Sequence, residues 1–178
     1  MKLDNGPVIK ALSSCWCIKE GDCETMRTQG IYLINEKTKA IVTIKSDYYK
    51  TIIYEKDREI KSPFTATKIL EESCIRYGAS LKGRRATSKY LLNTNEKLPV
   101  AVDRDNGIYL FPTSALRSGD CVWLAYFHIK KIKKSDDKTY IKFKGGMELF
   151  INASYYTIDK QKKNTSELIV QLNLDKLF

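Results

Sequence analysis

CVWLAYFHIKKIKK, residues 121–134, SDDK, 135–138, and TYIKFK, 139–144, are followed by the glycine turn at 145–146 and by MELFI, 147–151. In YIKFK, Ile141 and Phe143 share one side of an extended chain, while Tyr140 and Lys142 share the other. A period of two with one apolar and one cationic face describes a sheet that is dry on one side and wet on the other. The apolar-rich run CVWLAYFHI, 121–129, is also too short to cross a bilayer, and it contains the chain's one histidine, His128. Strand, turn, strand, turn, strand is therefore the reading of residues 121–151.

The same grammar extends towards the N-terminus. Segments 31–35 (IYLIN) and 40–44 (AIVTI) flank EKTK as a predicted hairpin. Segments 49–55 and 58–61 flank a polar turn, and KYLLN, 89–93, leads into PVAVD, 99–103. Asn106-Gly107 then turns the chain into IYLFPT, 108–113, since both residues tolerate positive φ. Two helices interrupt the strands. The first is predicted over 62–78, with Ser62-Pro63 at its start, Leu70, Cys74 and Tyr77 on one face and Gly78 as a left-handed C-terminal cap. The second is predicted over 164–178 with Thr165 or Ser166 as cap, after a basic linker at 159–164. The expected fold is α+β: a β-rich single domain of antiparallel hairpins, residues 1–178, with a central short helix, a C-terminal helix and a weak boundary near residue 62.

Charge narrows the function. Thirty-one Lys and Arg against 21 Asp and Glu give a net charge of +10 over 178 residues. The excess is uneven: residues 1–60 hold 10 basic against 9 acidic side chains, and residues 61–178 hold 21 against 12. A nearly neutral third suited to self-association and a cationic remainder suited to a polyanion follow from that. Hydrophobic residues make up 43% of the chain, so a packed core is expected. The N-terminus lacks the apolar core of a signal peptide, and the expectation is a soluble cytoplasmic protein. Five cysteines, an odd number, point to reduced thiols. Cys15, Cys17 and Cys23 lack the paired knuckles of a zinc site, and no cofactor or metal is expected. One histidine and the absence of a nucleophile elbow, P-loop or HExxH motif argue against an enzyme.

SCIRYGASLKGRRATSKYLLN, residues 73–93, carries Arg76, Lys82, Arg84, Arg85 and Lys89 and no acid. The stretch GASLKGRR reads as a loop bent at Gly78 and Gly83, slim enough to enter a narrow A·T minor groove with its arginines, while Ser80 donates to phosphate. The plainer alternative ties those arginines to Glu71 or Glu72. A second basic patch, Lys130, Lys131, Lys133 and Lys134, would track phosphates without reading bases, or simply guard a strand edge.

ILEESCIRYGASLKGRR, LPVAVDRDNGIYLFPT and DCVWLAYFHIKKIK, taken together, resemble the ComK family of competence transcription factors. Ile75 departs from the family pattern, which places an arginine directly after the cysteine; here Arg76 follows. The resemblance implies a transcriptional activator that binds double-stranded DNA at A·T-rich boxes, largely through the minor groove. It also implies a homo-oligomer (a dimer or a dimer of dimers) and an adaptor protein that delivers the chain to a Clp-type protease. No membrane partner is expected, since no apolar run is long enough to span a bilayer. An RNA or single-stranded nucleic-acid binder is the alternative, with exposed tyrosines as stacking platforms.

Overall fold

The computed structural model describes residues 30–116 and 118–174. The Cys15, Cys17 and Cys23 cluster, residues 1–29 of the neutral N-terminal region and residues 175–178 lie outside the described residues. Among the described residues nine strands and three helices follow one another: β1 Ala40–Thr43, β2 Thr51–Tyr54, β3 Glu59–Ser62, α1 Ala66–Arg76, α2 Leu81–Leu92, β4 Val100–Asp103, β5 Ile108–Pro112, β6 Val122–Ala125, β7 Ile129–Ser135, β8 Lys138–Phe143, β9 Glu148–Ile151 and α3 Tyr155–Asn173. This is the α+β class expected, and every strand pair is antiparallel.

The strands form two sheets, ordered β3-β2-β1-β6-β5-β4 and β7-β8-β9. The six-stranded sheet is covered on both faces, because its successive side chains feed two separate cores. Ile41, Ile53, Val102, Leu110 and Trp123 point towards α1 and the start of α2. Ala40, Val42, Phe111, Val122 and Leu124 point the other way, towards Ile141, Phe143 and Leu149 of the small sheet and Ile158 of α3. α1 and the start of α2 thus cover one face, and the second sheet with Ile158 of α3 covers the other. The alternation read in β8 holds: Thr139, Ile141 and Phe143 are buried, while Tyr140 and Lys142 are half-exposed.

Five expectations are corrected. The run 121–134 is not one strand: a 3₁₀ turn, Tyr126–His128, breaks it, so β6 stays in the large sheet and β7 starts the small one. Residues 31–35 join no ladder. Their backbone is bonded sideways to α1 instead, Ile34 N–H donating to Ser73 Oγ at 2.9 Å and Tyr77 O–H donating to the Ile34 carbonyl at 3.1 Å. The first helix starts later than Ser62, which closes β3; Thr65 caps it, accepting from Lys68 N–H at 3.2 Å. The last helix starts earlier. Ser154 caps it, the basic stretch 159–164 lies within it, and Thr165 is buried mid-helix, its hydroxyl bonded to the Gln161 carbonyl at 2.7 Å. Finally, GASLKGRR is no loop: from Leu81 it is helical, and KYLLN is the end of that helix rather than a strand.

A candidate nucleic-acid interface on the first two helices

Local chemistry explains the turn between α1 and α2. Gly78 has φ +85°, the left-handed conformation glycine adopts without steric cost. Gly78 N–H donates to the Ile75 carbonyl and Ala79 N–H to the Cys74 carbonyl, both at 3.0 Å, which is the paired closure of a Schellman motif. Two residues on, Ser80 begins α2, its Oγ accepting from Gly83 N–H at 3.1 Å. A Cβ on Gly83 would meet that same oxygen at 3.3 Å. Gly83 therefore seats a cap instead of hinging a loop. Glu71 of α1 accepts from Leu81 N–H at 3.1 Å, so the positive end of α2 is already met by the chain's own carboxylate.

The exposed positions of α2 are Lys82, Gly83, Ala86, Thr87, Lys89 and Tyr90, with Asn93 as its left-handed C-cap. They recur at helical spacing, carry no acid and are slim in the middle. Arg76 and Ile75, at the end of α1, are exposed as well. Three of the expected cations, Arg76, Lys82 and Lys89, thus reach solvent on two consecutive helices joined by a tight turn. Tyr90, 85% exposed, shares this face and was not among the residues that sequence reading singled out. Its signal was the spacing of 83, 86 and 90 on one helical face, invisible while the segment was read as loop and strand.

Arg84 and Arg85 are placed differently. Both are half-buried. Arg84 donates from Nη2 to the Tyr77 carbonyl at 2.9 Å, tying α2 to the end of α1. The Nε atoms of both arginines are shielded from solvent with no protein partner among the described residues. Neither arginine forms an ion pair there; Glu72 pairs with Lys68 at 2.5 Å, and Glu71 serves the α2 backbone. The arginines are thus not neutralised by acid, but they are not free probes on a flexible tongue. Arg85 lines a cavity of about 480 Å³ with Trp123, Pro112, Leu98 and Lys97. Ser80 is exposed, yet its oxygen is occupied as a cap.

The second patch lies elsewhere. β7 is an edge strand, and Lys130, Lys131, Lys133 and Lys134 are all exposed on it. Register separates them. Lys131 stands opposite Lys142 and Lys133 opposite Tyr140 on the outer face, whereas Lys134 stands opposite buried Thr139. Lys130 falls at an irregularity between Ile129 and Lys131.

No Cys–His hydrogen bond forms among the described residues. Burial pushes the Cys74 thiol up to about 11 and also raises Cys121, so neither is a ready thiolate. Desolvation by burial holds His128 below the usual imidazole range, and its Nε2 is bonded to the Glu36 carbonyl at 2.8 Å. No three His, Cys, Asp or Glu side chains gather as a metal set among the described residues, and no described helix is long and apolar enough to cross a membrane.

The family model described as ComK protein matches residues 29–176, nearly the whole of this architecture. The chain belongs to the ComK family. Among curated proteins it is similar to the competence transcription factor of Bacillus subtilis (strain 168), with 31% identity over 117 residues. That match covers 65% of this chain and 61% of the relative's length. No solved structure matches. The ComK family match takes in α1, α2, β4–β6 and the basic small sheet together, so both cationic surfaces lie inside the family region.

Proposed function

We propose that the chain is a sequence-specific, DNA-binding transcriptional activator of competence genes that docks on A·T-rich boxes through the α1–α2 face. The observation that carries this reading is the acid-free exposed face of α2 beside Arg76, in a ComK-family chain with net charge +10. Arg76, Lys82 and Lys89 hold phosphates, and Gly83 and Ala86 let the helix approach the duplex closely. An α-helix with its side chains is about 10–12 Å wide and a minor groove only about 6 Å. Minor-groove readout is then a matter of side chains reaching in while α2 lies across the mouth. Arg84 and Arg85, just beneath the face, raise its positive potential without leaving their places.

The proposal extends to a homo-oligomer, dimer or dimer of dimers, acting in the cytoplasm on paired boxes. An adaptor and a Clp-type protease limit its level. Family membership supports these extensions. The test is competition. An A·T-rich duplex bound by the full chain should resist a G·C-rich duplex of equal length and also yield little to double-stranded RNA, whose minor groove is wide and shallow. Equal displacement by all three would reject sequence-specific duplex recognition, and preferential displacement by a single strand would favour the stacking alternative.

A further inference from the structure

The outer face of the small sheet is built in two rows. Lys131, Lys142 and Glu148 lie side by side across β7, β8 and β9, and Lys133, Tyr140 and Phe150 form the neighbouring row. Lys138, opposite Ser135, extends the same face. Four lysines thus share this surface with one carboxylate, and that carboxylate is taken up by Lys142 at 3.0 Å. The rings of Tyr140 and Phe150 pack at 5.4 Å and stiffen the platform between the charges. Asp136 and Asp137 are confined to the turn beyond it, which sets the cationic strip on the strands and not on the hairpin tip. The opposite side of the same strands, Ile132, Ile141, Leu149 and Ile151, faces the second core, so the lysine rows face away from it.

This strip and the α1–α2 face belong to different layers. α1 and Leu81 of α2 close the core on one side of the six-stranded sheet, and the small sheet closes the core on the other. Stacked sheets lie about 10 Å apart, and a helix adds roughly another 10 Å. Duplex DNA is stiff over about 150 base pairs and does not fold back around so small a body without a large bending cost. A straight duplex lying along α1 on one side of the six-stranded sheet does not reach the outer face of the small sheet on the other.

We infer that the chain is a two-faced binder: the α1–α2 face takes an A·T-rich box, and the outer face of β7–β8–β9 takes the phosphates of a second duplex segment, bridging the two. The inference rests on the reading of α1–α2 given above. The second contact is sequence-indifferent, because lysines on a flat sheet meet phosphate charge and no base edges. A role for these lysines purely as guards of the β7 edge makes a different demand: there, charge of either sign suffices.

That difference supplies the test. An A·T-rich duplex is immobilised on beads, the full chain is added at low salt, and capture of a free, fluorescent G·C-rich duplex is measured. The wild-type chain should hold the first duplex and capture the second. Lys131→Glu with Lys133→Glu keeps the β7 edge charged and should keep the first contact while lowering capture roughly tenfold or more. Lys131→Gln with Lys133→Gln, a milder pair that serves if the glutamates impair folding, should lower capture less but in the same direction. Capture that survives both pairs in folded protein, as it would if two copies bridged through their α2 faces alone, overturns the inference. So does a wild-type chain that holds the first duplex and captures nothing. A wild-type chain that is not retained on the beads at all instead overturns the DNA-binding reading beneath it, and the bridging with it.

Discussion

Arg84 stands at the meeting of packing and function. Its Nη2 is spent on the Tyr77 carbonyl, and its shielded Nε finds no protein acceptor among the described residues. Truncation should therefore register first in stability. We expect Arg84→Ala to lose about 1–2 kcal/mol, measured by thermal or denaturant unfolding, and to change the salt dependence of duplex binding less than Lys82→Ala does. Glu55 makes a separate, pH-linked claim. Burial alone would raise its pKa, but hydrogen bonds from Arg58 Nε at 2.6 Å, Tyr32 O–H at 2.7 Å and the Asn35 amide outweigh burial and hold it below the ordinary glutamate range. A depressed folded-state pKa contributes stability that is complete above the unfolded value of about 4.3 and lost as pH falls through the folded one. Glu55→Gln should thus flatten the acid limb of the stability profile in chemical denaturation. An acid limb as steep as that of the wild type would contradict the network.

At the scale of the elements, α2 depends on a small number of local bonds. Ser80→Ala removes the cap on Gly83 N–H and should cost about 1 kcal/mol, while Gly78→Ala forces a Cβ into the left-handed region at roughly 1–2 kcal/mol; equilibrium unfolding measures both. These two glycines also show what a sequence reveals. Gly78 was legible because a helix pattern precedes it and positive φ at that place has one common meaning. Gly83 was not, because its role is to leave room for a cap oxygen, and in sequence that resembles a hinge. The hairpins 49–61 and 99–113 and the alternation of β8 were legible from period-two patterning. Residues 31–35 carried the same signal, but Ser73 and Tyr77 claimed their backbone groups. The start of α3 was hidden because its inward line passes through Gln161 and Thr165, both buried, where a sequence reader looks for apolar side chains. Within the site, the basic residues were legible as a group. What separated Lys82 from Arg84, or Lys133 from Lys134, was helical phase and strand register, which need the elements to be right first.

The described residues form a six-stranded sheet between the layer of α1 and α2 and a second layer of the small sheet with Ile158 of α3, and the function is proposed for the surfaces, not the cores. Its central claim is that Arg76, Lys82 and Lys89 present one phosphate-binding face. The most direct measurement is fluorescence anisotropy of a labelled A·T-rich duplex over a salt series, comparing the wild type with Arg76→Ala, Lys82→Ala and Lys89→Ala combined. Each lost phosphate contact should reduce the log–log salt slope by about 0.9, so the triple variant should bind more weakly at every salt concentration, with a slope shallower by roughly 2.7. A folded triple variant with the affinity and slope of the wild type would show that the duplex docks elsewhere.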